Sequence, residues 1–238
     1  MSWYHATLAT PDRRTSRIIA TCKRFSRRLS TGIFRVVSRK NTSDAQLDAL
    51  LSRNLQHPRS IEEIMKCTRF SKSEIRLLYR SFKQDCPGGN VNEERLRGIY
   101  LQFFPQGNVM KYTHYLFSMI DRNHKGTFTF DDYILTLSVL CRGTIEEKLR
   151  WIFRFYDFHS EGHLTRANIS EMILSLNELV GSSGHSVTIE HDIQKHVDEI
   201  FECIDPMHNE QITVNDFIDY CKRRPQLIES VQQLSCCL

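Results

Sequence analysis

Four times along this 238-residue chain, one twelve-residue pattern interrupts an apolar helical periodicity. The segments are 84-QDCPGGNVNEER-95, 121-DRNHKGTFTFDD-132, 157-DFHSEGHLTRAN-168 and 205-DPMHNEQITVND-216. Their starts lie 37, 36 and 48 residues apart, and the long last interval contains 181-GSSGHSVTIE-190, which reads as a linker. Four segments in register constrain the fold more than any one of them could. Each has an apolar residue at position eight: Val91, Phe128, Leu164 and Ile212. Three have glycine at position six, Gly89, Gly126 and Gly162, where a sharp turn needs backbone angles that glycine adopts at least cost.

The flanks are helical. Ser71 with Glu74, and Thr144 with Glu147, have the spacing of capping boxes. Ile75, Leu78, Tyr79 and Phe82 then recur at steps of three and four, as do Ile145, Leu149, Ile152 and Tyr156. A loop of this kind between two helices is the frame of the EF-hand, which wraps a hard cation in oxygen ligands. The apolar position-eight residues let two loops pair through a short antiparallel strand. The expected fold is therefore all-α: four EF-hand motifs in two paired lobes with short antiparallel β contacts between loops. The expected organisation is a basic amphipathic extension at 1–40 and a linker with lead-in helix at 41–70. An N-terminal EF-hand pair follows at 71–142, a C-terminal pair at 143–225, and a helix or tail at 226–238.

An EF-hand loop wants oxygen at positions one, three and five, a backbone carbonyl at seven and a bidentate glutamate at twelve. Loop one offers Gln84, Cys86 and Gly88, then Arg95 where the glutamate belongs, so no ion is expected there. Loop two offers Asp121, Asn123, Thr127 at position seven, and Asp132, with Lys125 at position five. Asp132 is one methylene short of glutamate and reaches an ion with one oxygen, which suits six-coordinate magnesium better than calcium. Loop three offers Asp157, His159, Glu161, His163 and, at position twelve, the neutral Asn168. His159 and His163 with Asp157 also compose a zinc-type donor set, although without a fixed ligand spacing. Loop four offers Asp205, Asn209 and Asp216, but Met207 puts a soft thioether at position three and Glu210 replaces the glycine. The expectation is calcium binding that is weak or lost, with magnesium as a second candidate at loop two.

Charge divides the chain. Residues 1–40 hold ten Lys or Arg and one acid, Asp12, while the remainder carries 22 basic and 27 acidic residues. Within the head, Ile18, Cys22, Phe25, Leu29, Ile33 and Val36 form one face of a helix, ringed by Arg17, Lys23, Arg24, Arg27, Arg28 and Arg35. A basic amphipathic helix suits an anionic membrane surface, here through residues 13–40, at about 1 kcal/mol per engaged cation. Arg13-Arg14-Thr15-Ser16 and Arg27-Arg28-Leu29-Ser30 read as basophilic kinase targets, whose phosphorylation would cancel that charge. A mitochondrial transit peptide and a nucleic-acid-binding arm are the lesser alternatives. The chain opens Met-Ser rather than Met-Gly, which argues against myristoylation; Cys22, Cys236 and Cys237 are the candidates for other lipids. No apolar run approaches a membrane span, residues 1–40 lack a secretory core, and eight scattered cysteines suggest reduced thiols. A cytoplasmic protein, peripheral at the plasma membrane, is expected, with nucleus or mitochondrion as the alternatives. There is no nucleophile elbow, phosphate-binding glycine loop or HExxH segment, so no enzyme is expected.

The stretches 77-LLYRSFKQDCPGG-89, 99-IYLQFFPQG-107, 114-HYLFSMID-121 and 142-RGTIEEKLRWIFRFYD-157 resemble the neuronal calcium sensor family, most of all its potassium channel-interacting subgroup. Cys86-Pro87 in loop one looks like a hallmark of that family, in which such a loop is not expected to hold metal. The resemblance spans about residues 60–225 and leaves out the basic head. It implies two lobes sharing an apolar groove that clasps the cytoplasmic N-terminal helix of an A-type voltage-gated potassium channel. The groove residues it points to are Tyr100, Phe103, Phe104, Tyr115, Leu116, Met119, Trp151, Ile152 and Phe155. It also implies an aspartate ending loop two, as here, and calcium at loop three, where Asn168 departs from the family and weakens the expected site; retained affinity at loops two and three through relaxed geometry is the alternative. The alternative it brings is a nuclear DNA-binding transcriptional repressor built on the same scaffold.

Overall fold

The computed structural model of the chain describes residues 60–181, 187–205 and 209–232. The basic head with Arg17, Lys23, Arg24, Phe25, Arg27, Arg28 and Leu29 lies outside these described residues, as do Cys22, Met207, Cys236 and Cys237.

Local chemistry sets the helix starts. Helix α1 (Ile61–Cys67) begins at Ser60 and α2 (Lys72–Asp85) at Ser71, each with a reciprocal capping box to the glutamate three residues on. After strand β1 (Asn90–Val91), Asn92 caps α3 (Glu93–Phe103) by accepting from the Arg95 amide at 2.8 Å. Helix α4 (Met110–Ile120) leads into loop two and strand β2 (Phe128–Thr129), and α5 (Phe130–Arg142) leaves it. Thr144 and Glu147 box the start of α6 (Ile145–Tyr156), which enters loop three and strand β3 (His163–Leu164). Then come α7 (Arg166–Leu179), α8 (Val187–Ile204), strand β4 (Ile212–Thr213), α9 (Val214–Lys222) and α10 (Pro225–Gln232).

The strands pair as two minimal antiparallel sheets. In one, Val91 lies opposite Phe128; in the other, Leu164 lies opposite Ile212. All four position-eight residues are at most 3% exposed, so each pair of loops is joined through a buried apolar contact. The apolar stripes read from the sequence face the core. Ile75, Leu78, Tyr79 and Phe82 of α2 are buried, as are Leu149, Ile152 and Tyr156 of α6 and Ile169, Met172, Ile173 and Leu176 of α7; Ile145 is half-buried. Burial of each such aliphatic side chain stabilises the fold by about 1.5–3 kcal/mol.

The lobes meet along α4, which packs on α6 and α7. The turn between α3 and α4 also docks on the end of α7. Asn108 donates its backbone N–H to the Glu178 carbonyl at 2.8 Å and its side-chain amide to the Glu178 carboxylate at 3.1 Å, while Lys111 Nζ reaches the other carboxylate oxygen at 3.2 Å. Backbone lies directly on backbone there: a Cβ built on Gly107 would stand 1.9 Å from the Leu179 carbonyl oxygen.

Candidate metal loops and partner surface

Loops two, three and four share one internal architecture, built by their first and last ligand positions. The position-one carboxylate is buried and gathers the turn: Asp121 accepts from the amides of Lys125 (3.1 Å) and Gly126 (2.7 Å). Asp157 accepts from Glu161 (2.8 Å) and Gly162 (2.9 Å), and Asp205 from Asn209 (3.3 Å) and Glu210 (2.8 Å). The position-twelve side chain caps the exiting helix through a threonine at position nine. Asp132 Oδ2 accepts from the Thr129 amide and hydroxyl, both at 2.9 Å. Asn168 Oδ1 accepts from Thr165 at 2.8 and 2.6 Å, and Asp216 Oδ2 from Thr213 at 3.1 and 2.5 Å. This second job of position twelve shows in the sequence as a Thr-x-x-Asp or Thr-x-x-Asn spacing at the start of each exiting helix.

These contacts decide how well each loop suits a hard cation. A carboxylate that caps with one oxygen keeps a second for an ion, so Asp132 and Asp216 can do both. Asn168 has one oxygen, and both of its lone pairs already face Thr165 donors. Loop three therefore does not fit at position twelve: a cation there would have to displace the helix cap. Loop two fits best, with Asp121, Asn123, Asp132 and the Thr127 carbonyl as the residues that would hold the ion. In loop four Asn209 Oδ1 accepts from the Gln211 amide at 3.0 Å, and Glu210 turns left-handed with φ 61° in the glycine position. Its carboxylate stands 3.6 Å from Arg166, which also bonds Asp198 at 3.1 Å and lies over the Phe201 ring.

The two imidazoles of loop three have separate neighbours. His159 sits edge-on to Phe158, and His163 Nδ1 lies 3.2 Å from the Glu161 carbonyl. Among the described residues no three His, Cys, Asp or Glu side chains converge as a metal-holding group.

Loop one is built differently. Arg95 Nε donates to the Asp85 carbonyl at 2.9 Å and Nη2 donates to the same oxygen. Lys83 Nζ donates to the Pro87 carbonyl at 2.7 Å. Cys86 is buried, and burial pushes its thiol up from the ordinary range.

With the loops placed, one comparison bears directly on them. Residues 146–222 match the family model described as an EF-hand domain pair. The matched span runs from the first turn of α6 to the last residue of α9 and contains loops three and four with their β3–β4 pairing. The N-terminal lobe repeats that architecture, with its own two loops joined by β1 and β2. No helix among the described residues is long and apolar enough to cross a membrane.

The nine residues expected to line a partner groove divide by exposure. Tyr100, Phe104, Tyr115, Ile152 and Phe155 are buried, while Phe103, Leu116, Met119 and Trp151 are half-buried against the core. Five rings form a run across the lobes: Phe104 on Tyr100 (6.4 Å), Tyr100 on Tyr112 (5.7 Å), Tyr112 edge-on to Phe155 (5.5 Å) and Phe155 stacked on Trp151 (5.5 Å). Tyr112, which links the two halves, was not among the residues singled out from the sequence. Tyr115 takes another direction. It stacks on Phe158 at 4.4 Å and donates its hydroxyl to Glu171 at 2.5 Å, and burial together with that carboxylate raises its pKa. Tyr115 thus ties α4 to loop three and α7.

Proposed function

We propose that this chain is a non-enzymatic regulatory adaptor of the calcium-sensor type, which holds an amphipathic helix of its partner with a calcium response that is blunted. The partner that suits it best is the cytoplasmic N-terminal helix of an A-type voltage-gated potassium channel. The basic head would lie on the anionic inner face of the plasma membrane beside it. The observation that carries this reading is the run of five rings from Phe104 to Trp151. It joins α3, α4 and α6 across both lobes; four of its rings are buried and stiffen the junction, while its end at Trp151, with Phe103, Leu116 and Met119, is half-buried and leaves apolar side chains partly open to the apolar face of a helix. The blunted response follows from the donor sets: position twelve is Arg95, Asp132, Asn168 and Asp216, a glutamate in none of the four.

The test is a fluorescence titration of the full chain carrying Trp3→Phe, so that Trp151 reports alone, with a synthetic peptide of the channel's N-terminal helix. Saturable binding is expected in calcium and in chelator, with affinities within about threefold (about 0.65 kcal/mol) of each other. Failure to bind in either condition, or binding that appears only with calcium, would contradict the reading.

A further inference from the structure

We propose that Arg95 is a resident cation for loop one: it ties the entering helix α2 to the exiting helix α3, as a bound divalent ion ties the helices of a liganded loop. In that loop the ion would be held by a position-twelve carboxylate; here the chain supplies the positive charge itself. The backbone amide of Arg95 is fixed by Asn92 at the first turn of α3. Its guanidinium reaches back across the loop and gives two N–H groups to the carbonyl of Asp85, the last residue of α2. The last carbonyls of a helix lack intrahelical partners and carry the negative end of its dipole, so a forked cation is well matched to that position. Lys83 adds a second cation, from the last turn of α2 to the Pro87 carbonyl two residues further round the loop. The turn between is closed by the Gly89 amide on the Cys86 carbonyl at 3.0 Å, with Gly89 left-handed at φ 81°.

The consequence falls on loop two. β1 leaves this turn and pairs with β2, so a loop one held by side-chain cations presents Asn90 and Val91 to Phe128 and Thr129 whatever the divalent-ion concentration. The N-terminal lobe then keeps its paired-loop geometry in chelator. An arginine that merely decorates the start of α3 would have no such effect on the strand pair.

Amide hydrogen exchange on the full chain in chelator tests this. In Arg95→Met the amides of β1 and β2 (residues 90, 91, 128 and 129) should exchange at least tenfold faster, while those of β3 and β4 keep the wild-type rate. Arg95→Lys, which retains a cation, should recover most of the protection. Should Arg95→Met fail to give folded protein, Lys83→Met decides, with a smaller acceleration expected at the same amides. Unchanged exchange at β1 and β2, equal acceleration in both lobes, or a lysine no better than methionine would overturn the proposal. Peptide capture by the wild-type chain succeeds or fails independently of these outcomes.

Discussion

At the scale of single residues, position six of each loop must turn left-handed. Gly89, Gly126 and Gly162 do so with φ of 81°, 74° and 79°, and Glu210 does so with φ 61°. A non-glycine residue in that region costs about 1–2 kcal/mol, against roughly 0.4–1 kcal/mol for the extra unfolded-state freedom of glycine. The ion pair between Glu210 and Arg166 spans 3.6 Å at a carboxylate 79% exposed and contributes little in return. Glu210→Gly should therefore stabilise the chain by about 0.5 kcal/mol, read as a higher urea midpoint at unchanged slope; a lower midpoint would show that the Arg166 contact outweighs the strain. The strain itself was legible, because alignment with three glycines places Glu210 at the turn. The Arg166 partner was not, since it comes from α7 and no local pattern joins the two. The same holds for Arg95: the sequence shows a cation where a ligand belongs, but only the fold shows which carbonyl it meets.

At the scale of elements, side-chain capping sets most of the boundaries. The boxes at Ser71 and Thr144 follow from their spacing and occur as expected. The box at Thr144 also belongs to a clasp that local spacing does not show. Arg69, between α1 and α2, makes a two-pronged ion pair with Glu147 at 2.8 and 2.8 Å, and its backbone amide bonds Ser138 on α5 at 3.0 Å. The Arg69 guanidinium, followed by the Thr144 amide, holds the Glu147 carboxyl down to about 2 from an ordinary 4.5. A carboxyl whose folded pKa is depressed contributes stability that is complete above its unfolded pKa and disappears as pH falls through the folded one. The contribution of Glu147 should therefore be present above about pH 5 and fade between there and about pH 2. Glu147→Gln should lower the thermal midpoint at pH 7 and match wild type near pH 2. A constant gap between the two chains at every pH would show that Glu147 acts through packing alone. The pair is solvent-exposed, so high salt should shrink the difference.

At the scale of the whole molecule, the arrangement is two EF-hand-like lobes held together as one scaffold rather than two beads on a string. The repeat, the loop pairing and the buried stripes were legible because each follows from periodicity or from a fixed position in the loop. The contact that joins the lobes was not. Gly107 and Asn108 meet Glu178 and Leu179 across a long stretch of sequence, and nothing near Gly107 announces that a backbone will lie on it. Ion binding is where the residue-level substitutions become a property of the molecule. Asn168 has its one oxygen committed to Thr165, Arg95 replaces a ligand with a cation, and loop two keeps Asp121, Asn123 and Asp132 but has Lys125 at position five. The central claim is a scaffold whose shape does not wait for calcium. It is tested most directly by a calorimetric calcium titration of the full chain at physiological magnesium, run beside Asn168→Glu. The account predicts no site in the sensor range of about 0.1–10 μM for the wild type, and a gain of at least tenfold at loop three when the glutamate is restored. A wild-type site tighter than about 10 μM, or an Asn168→Glu chain no tighter than wild type, would contradict it.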